Sequence, residues 1–225
     1  ANAFLALKIS YINEVANLCD EIGADINILT EALGSDGRIS PKFLHPGPGF
    51  GGSCFPKDTK ALIHIAKKHN LDMHTVDAAI KTNNYQRIRM LDKLEKLLEG
   101  NFSKKKIGIL GLAFKQGTDD VRESAAIDMI SGLIKRGAKI KAYDPAANDS
   151  MKKLIPKIDY KLNWQSAVED CDAVVIMTEW NEFRGMDLSK LKKLMSSPII
   201  LDTRNILNIN ELKRLEFKFD NVGRK

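Results

Sequence analysis

Lys106-Ile107-Gly108-Ile109-Leu110-Gly111-Leu112 is a short apolar run behind a lysine cluster, and its length and flanks predict a buried strand. The pattern continues downstream with a helix over 124–136, a strand over Lys139–Tyr143 ending in Asp144-Pro145, and a helix near 149–154. Ser166-Ala167-Val168-Glu169 has the form of a helix cap. A strand follows over Ala173–Met177, then a helix near 188–195 and a strand over Ile199–Asp202. Strands alternating with helices mean βαβ units, so this half is expected to be α/β, with a doubly wound, Rossmann-like parallel sheet.

Upstream of the run the sequence is helical. Ile12, Val15, Ala16, Cys19 and Ile22 keep helical spacing, and Gly23 supplies a C-cap. Asp25 caps a second helix through Ile28, Leu29 and Ala32, which Gly34 is expected to end. Pro56 marks the first turn of a third helix, and a fourth spans roughly 75–99 before Gly100. The change of period places a boundary near 100–105, dividing a helical domain, 1–102, from the sheet domain, 103–225. Between the second and third helices, residues 34–54 carry six glycines and three prolines. An irregular stretch of that length inside a compact domain is usually functional.

Composition narrows the function. The 225 residues carry a formal charge of +6, with 44% apolar and 28% charged residues, as in ordinary globular chains. No apolar run approaches the ~20 residues that a membrane helix needs. The opening ANAFLALKIS has neither the basic region nor the cleavage site of a signal peptide. Three cysteines, an odd number, suit a reducing cytoplasm rather than a disulfide framework. The lysines are spread in pairs, with no run longer than Lys104-Lys105-Lys106 and no interleaved aromatics, which argues against nucleic acid. His45, His64, His69 and His74 belong to no metal-binding motif, so no metal site is expected.

Glycines at 108, 111 and 117 do not make the G-x-G-x-x-G fingerprint of a dinucleotide site. Asp144 stands where a ribose-binding acid belongs, but Pro145 follows at once. These features favour a nucleotide-binding variant of the fold over a complete NAD site in this half. Ligands of such sheets sit at the C-terminal strand ends, where Lys115, Arg122 and Arg204 suggest a phosphate site.

The chemistry centres on Gly47-Pro48-Gly49-Phe50-Gly51-Gly52-Ser53-Cys54-Phe55-Pro56-Lys57-Asp58. Cys54 immediately precedes the third helix, where the positive helix end and Lys57 favour a thiolate. Asp58 is expected one helical turn on, near enough to orient or deprotonate a water. A nucleophile with a neighbouring base is the arrangement of covalent catalysis. Cys19 and Cys171 sit among core-spaced residues, and Trp164 and Trp180 are expected to pack.

Gly49-Phe50-Gly51-Gly52-Ser53-Cys54-Phe55-Pro56-Lys57-Asp58 resembles the catalytic loop of the UDP-glucose/GDP-mannose dehydrogenase family. Three further stretches agree in order: Ala1–Ala6 with Ile12-Asn13-Glu14, Gly111–Lys115 with Asp119–Ser124, and Asp202-Thr203-Arg204-Asn205 with Val222-Gly223-Arg224. The resemblance implies Cys54 as nucleophile, Asp58 as its water-orienting partner and Asn2 as an oxyanion donor. It further implies that Phe43, Leu44, His45, Pro46, Gly47 and Gly51 line the sugar-nucleotide site, with Phe114, Lys115 and Arg204. Arg38 would reach that site from the partner of a homodimer built on the central helices, and Lys57 and Arg122 would touch NAD. The implied reaction takes UDP-glucose to UDP-glucuronate, a polysaccharide precursor, through a thiohemiacetal and a thioester on Cys54.

Departures from the family pattern are informative. The family's N-terminal NAD-binding domain and its lysine upstream of Ala1 are missing from this sequence, so a fragment of a longer enzyme, inactive alone, is expected. His45 replaces a lysine-like position. By the same resemblance, the loop phenylalanines imply the UDP-glucose type over GDP-mannose or UDP-N-acetylmannosamine. A non-catalytic dimerisation and UDP-sugar-binding module is the competing reading. A cysteine hydrolase would need a histidine partner that no sequence context supplies.

Overall fold

The computed structural model describes residues 1–224. Four helices come first: α1 (Asn2–Ile22), α2 (Ile26–Ser35), α3 (Cys54–Lys68) and α4 (His74–Leu97). The α/β half then runs β1 (Lys106–Leu110), α5 (Ala125–Lys135), β2 (Lys139–Tyr143), α6 (Asn148–Leu154), β3 (Asp159–Tyr160) and α7 (Trp164–Val168). It continues with β4 (Ala173–Ile176), α8 (Asn181–Arg184), α9 (Leu188–Leu194), β5 (Ile199–Asp202), α10 (Ile209–Arg214) and β6 (Lys218–Asp220). All strand pairs are parallel, in the order β3-β2-β1-β4-β5-β6. This is the doubly wound Rossmann order, whose direction of growth reverses between β1 and β4.

Strand side chains alternate between two apolar layers, so both faces of the sheet are buried. Ile107, Ile109, Ala173, Val175 and Leu201 join a core with α1, α4 and α5 through Ile12, Ala16, Met90, Leu94, Met129 and Ile130. Leu110, Val174, Ile176 and Ile200 face Ala167 and Val168 of α7, Phe183 of α8, Leu191 of α9 and Leu212 of α10. The upstream helices therefore share one core with the sheet.

Several local expectations are corrected. The cap of α7 is Asn163, whose side chain accepts from Ser166 N, and not Ser166 itself. Helix α2 runs through Gly34 and ends at Ser35, where Asp36 turns extended. Cys54 is the first residue of α3, with Ser53 in the cap position and Pro56 inside the first turn. The short elements β3, α8, α10 and β6 carry too little periodicity to stand out in sequence. No helix among the described residues is long and apolar enough to cross a membrane.

Candidate active site

The glycine loop crosses the base of the α4 face and delivers Cys54 to the start of α3. Its path is set by buried amides from two helices. Asn13 of α1 accepts from Gly47 N at 2.8 Å, and Gln86 of α4 donates to Gly47 O at 2.9 Å. Asn83 grips Phe50 at both backbone groups, accepting from its N at 2.7 Å and donating to its O at 3.1 Å. A Cβ on Gly51 would stand 2.2 Å from Glu123 O, and one on Gly52 would stand 2.8 Å from the Phe114 ring. Only glycine lets the loop approach the sheet edge so closely.

Cys54 is exposed, and Ser53 Oγ lies 3.8 Å from its sulfur. Asn2 donates its side-chain amide to Asp58 Oδ2 at 2.6 Å, fixing that carboxylate one turn along α3, and Lys57 Nζ lies 3.7 Å from Asp58 Oδ1. Arg122 faces the same side. Its guanidinium is held above its ordinary pKa first by the hydrogen bond to Asp120, with a lesser contribution from Cys54.

Beside this group, Ile9, His45, Gly47, Gly49, Phe50, Gly51, Phe55, Phe114 and Arg204 enclose a pocket of about 140 Å³. Phe55 anchors one wall, its ring 5.9 Å from Phe50 and 6.1 Å from Phe43. Arg204 follows β5 and donates to Met177 O at 2.8 Å and Phe114 O at 3.0 Å, with Glu179 3.3 Å away. Burial pulls this guanidinium below its ordinary pKa, against the attraction of Glu179 and Asp202. A thiol, a carboxylate and an aromatic pocket with a half-buried cation can support covalent capture of a carbonyl next to a bound anion.

Residues 1–85 match the family description "UDP-glucose/GDP-mannose dehydrogenase family, central domain", and residues 108–209 match the UDP binding domain of the same family. The chain belongs to the UDP-glucose/GDP-mannose dehydrogenase family. It is 42% identical over 223 residues to a UDP-glucose 6-dehydrogenase of Rhizobium meliloti, covering 99% of this chain and 51% of the relative. It is 43% identical to UDP-glucose 6-dehydrogenase TuaD of Bacillus subtilis, covering 100% of this chain and 49% of that one. A UDP-glucose dehydrogenase structure from Pyrobaculum islandicum superposes with a TM-score of 0.88 at 34% identity, over 100% of this chain and 49% of that chain. An NDP-N-acetyl-D-galactosaminuronic acid dehydrogenase of Methanosarcina mazei gives 0.89 at 26%, again over 100% and 49%. The chain spans about half the length of the curated relatives it matches.

Within this member of the UDP-glucose/GDP-mannose dehydrogenase family, the expected site residues divide. His45, Gly47, Gly51, Phe114 and Arg204 line the pocket together. Phe43 stays half-exposed, Pro46 is half-buried and Leu44 turns into the core. Lys115 lies in solvent over the Phe114 ring at 5.4 Å, and Arg122 lines a separate open cleft with Asp119 and Ser150. Of the three cations expected at one phosphate site, Arg204 alone lines this pocket, with Lys115 over the outer face of Phe114. Arg38, 90% exposed, is held in a two-pronged pair by Asp36. Asp144 is buried and receives Leu112 N, Ala113 N, Ala146 N, Ala147 N and Trp180 Nε1, so it staples the loops after β1 and β2.

Sequence reasoning missed Asn13, Asn83, Gln86, Arg87 and Glu179. Their signal was polar residues at core spacing: Asn83, Gln86 and Arg87 interrupt the buried series Ala79, Met90 and Leu94 on α4. It also missed Lys8, which donates to Ile39 O, Ser40 O and Lys42 O and so holds the stretch leading to Phe43.

Proposed function

We propose that this chain is the thiol-bearing and nucleotide-gripping part of an NAD-dependent UDP-glucose 6-dehydrogenase that converts UDP-glucose to UDP-glucuronate. The observation that supports it best is the placement of exposed Cys54 at the head of α3, with Asp58 fixed by Asn2, beside a pocket bounded by Phe114 and Arg204. On this reading the chain divides into a central helical domain, 1–102, and a C-terminal UDP-sugar-binding domain, 103–225. The extents of the two family matches support that division.

Each side chain has a task in the reaction. Phe114, Arg204 and the backbone of the Phe43–Gly47 stretch would hold the nucleotide, and Gly51 would line the sugar site from the loop that carries the thiol. NAD, when bound, accepts the hydride in each of the two oxidations at C6. Cys54 sulfur would add to the C6 aldehyde, giving a thiohemiacetal whose oxyanion the Asn2 amide can stabilise. Oxidation of that adduct leaves a thioester, because a thiolate both adds to carbonyls and departs from acyl groups. Asp58 would then orient a water and take its proton as the C–S bond breaks. Asn2 donates one of its two amide hydrogens to Asp58, which leaves the second for an oxyanion.

Lys57 and Arg122 fit the cofactor's diphosphate: both are exposed cations on the Cys54 side. They do not enclose a dinucleotide, so the rest of that site is assigned to the half of the relatives that this chain does not span. A homodimer through the central helices is part of the proposal. Phe4, Tyr11, Leu18 and Ile22 form an exposed apolar stripe along α1, and Arg38 stands clear of its own pocket. A cytoplasmic setting is proposed from three cysteines that remain free thiols.

The test is NADH formed per UDP-glucose by the whole natural protein, with Cys54→Ala beside it. About two NADH per sugar, abolished in the variant, is the expected outcome. Turnover of only GDP-mannose or UDP-N-acetylmannosamine would reassign the sugar, and an unimpaired variant would sink the thioester route.

A further inference from the structure

We propose that Arg87 is a positioning residue, which fixes the separation between the Cys54 loop and the sheet edge that holds the nucleotide; this deepens the functional reading above and rests on it. Arg87 lies on α4 with its side chain only 10% exposed. Its Nη2 donates to Phe50 O at 2.8 Å and to Glu123 O at 2.8 Å, so one nitrogen ties the backbone of the glycine loop to that of the segment after β1. Nη1 donates to Asp128 Oδ2 at 2.8 Å, which anchors the guanidinium to α5.

Other contacts make this junction a defined seam. Gly52 N donates to Arg122 O at 2.8 Å. Between the two fastenings, the absent side chain of Gly51 leaves its backbone against Glu123 O. Phe50 is simultaneously held by Asn83 from the same face of α4. The loop, Phe114 and Arg122 are thus locked in one register just ahead of Cys54.

A buried guanidinium is a costly way to fill space. Arg87 Nε finds no partner among the described residues, and an apolar side chain would pack here without that desolvation. What only arginine supplies is a rigid fork that reaches two carbonyls and a carboxylate at once, whereas lysine offers a point charge. In the proposed reaction, Phe114 and Arg204 grip the nucleotide while C6 must meet Cys54. Reacting groups need to stand roughly 3–3.5 Å apart, and a misplacement of about 1 Å costs on the order of 10²-fold in rate. Arg87 touches neither end and sets the distance between them.

The test compares Arg87→Gln and Arg87→Lys with the wild type in the whole natural protein. It measures kcat and KM for UDP-glucose, Kd for UDP by calorimetry, and thermal unfolding. Arg87→Gln is expected to lose kcat on the order of 10²-fold, with UDP affinity held within about threefold. Arg87→Lys is expected to recover part of the rate. A kcat within about threefold of wild type, or kcat, UDP affinity and folding falling together in both variants, would overturn the assignment. A second arm needs no turnover and separates this idea from its parent. UDP is expected to change the iodoacetamide alkylation rate of Cys54 in the wild type and to leave it unchanged in Arg87→Gln. A UDP effect that is missing from the wild type, or equal in both proteins, overturns the role of Arg87. Absence of NADH from every sugar nucleotide overturns the parent reading alone.

Discussion

Asp120 and Arg122 show what a single pair contributes on the side of the exposed Cys54. The hydrogen bond from Arg122 holds the Asp120 carboxyl below its ordinary pKa, and burial opposes this only in part. Because the folded value is depressed, the pair's contribution is fully present above the ordinary carboxylate range and is lost as pH falls through the depressed value. Arg122 is 69% exposed, so solvent screening keeps the contribution small. Asp120→Asn is therefore expected to cost that small amount at neutral pH and nothing in strong acid. Urea unfolding of both proteins at a series of pH values checks this. A difference that grows toward acid would reverse the sign and disprove it. Freed from Asp120, the Arg122 head would also gain mobility beside Cys54.

Single elements depend on caps more than their lengths suggest. Helix α7 has only five residues, yet its first turn is tied by Asn163 Oδ1, which accepts from Ser166 N at 2.9 Å. Asn163→Ala is expected to cost about 1 kcal/mol, whereas Ser166→Ala should cost far less, since Ser166 contributes its backbone. Thermal unfolding of the two variants ranks them, and an inverted order would restore Ser166 as the cap. Helix α4 illustrates the opposite lesson. Its face mixes Met90 and Leu94, which pack, with Asn83, Gln86 and Arg87, which steer the glycine loop. The same spacing thus serves both core and site.

At the scale of the whole molecule, the core that joins α1 and α4 to β1 and α5 gives helices and sheet one continuous apolar interior. Leu94 is fully buried in it. Leu94→Ala is expected to destabilise by about 2–5 kcal/mol through lost burial and a residual cavity. Helical circular dichroism and the fluorescence of Trp164 and Trp180, which lie in the sheet half, should then shift together in one transition. Separate transitions would show that the two halves unfold independently. The same continuity lets a helix of the upstream half set the geometry of a loop against the sheet edge.

Much of this was legible before folding. Strands β1, β4 and β5 stood out because strands covered on both faces are near-continuous apolar runs, whereas β2, Lys139-Ile140-Lys141-Ala142-Tyr143, showed itself by its bounds and its place in the alternation of strands and helices. The glycine loop around Cys54 announced itself because close backbone approach demands residues without side chains. Strand β3 has two residues and β6 three; each exists because a neighbouring strand offers it hydrogen bonds, a partnership that local sequence does not encode. Asp144 looked like a ligand-binding acid and is a staple, since Leu112 N, Ala113 N and Trp180 Nε1 from two distant segments join its local donors Ala146 N and Ala147 N only after folding. Sequence by itself determined the period of each long element and the placing of Cys54 and Asp58 one turn apart at the head of α3, which depend on residue type and near neighbours. Tertiary structure alone decided that Asn2 holds Asp58, that Arg204 and not Lys115 lines the pocket, and that Arg87 bridges loop to sheet. Those contacts join residues far apart in the chain, and only the shared core brings them within hydrogen-bonding distance.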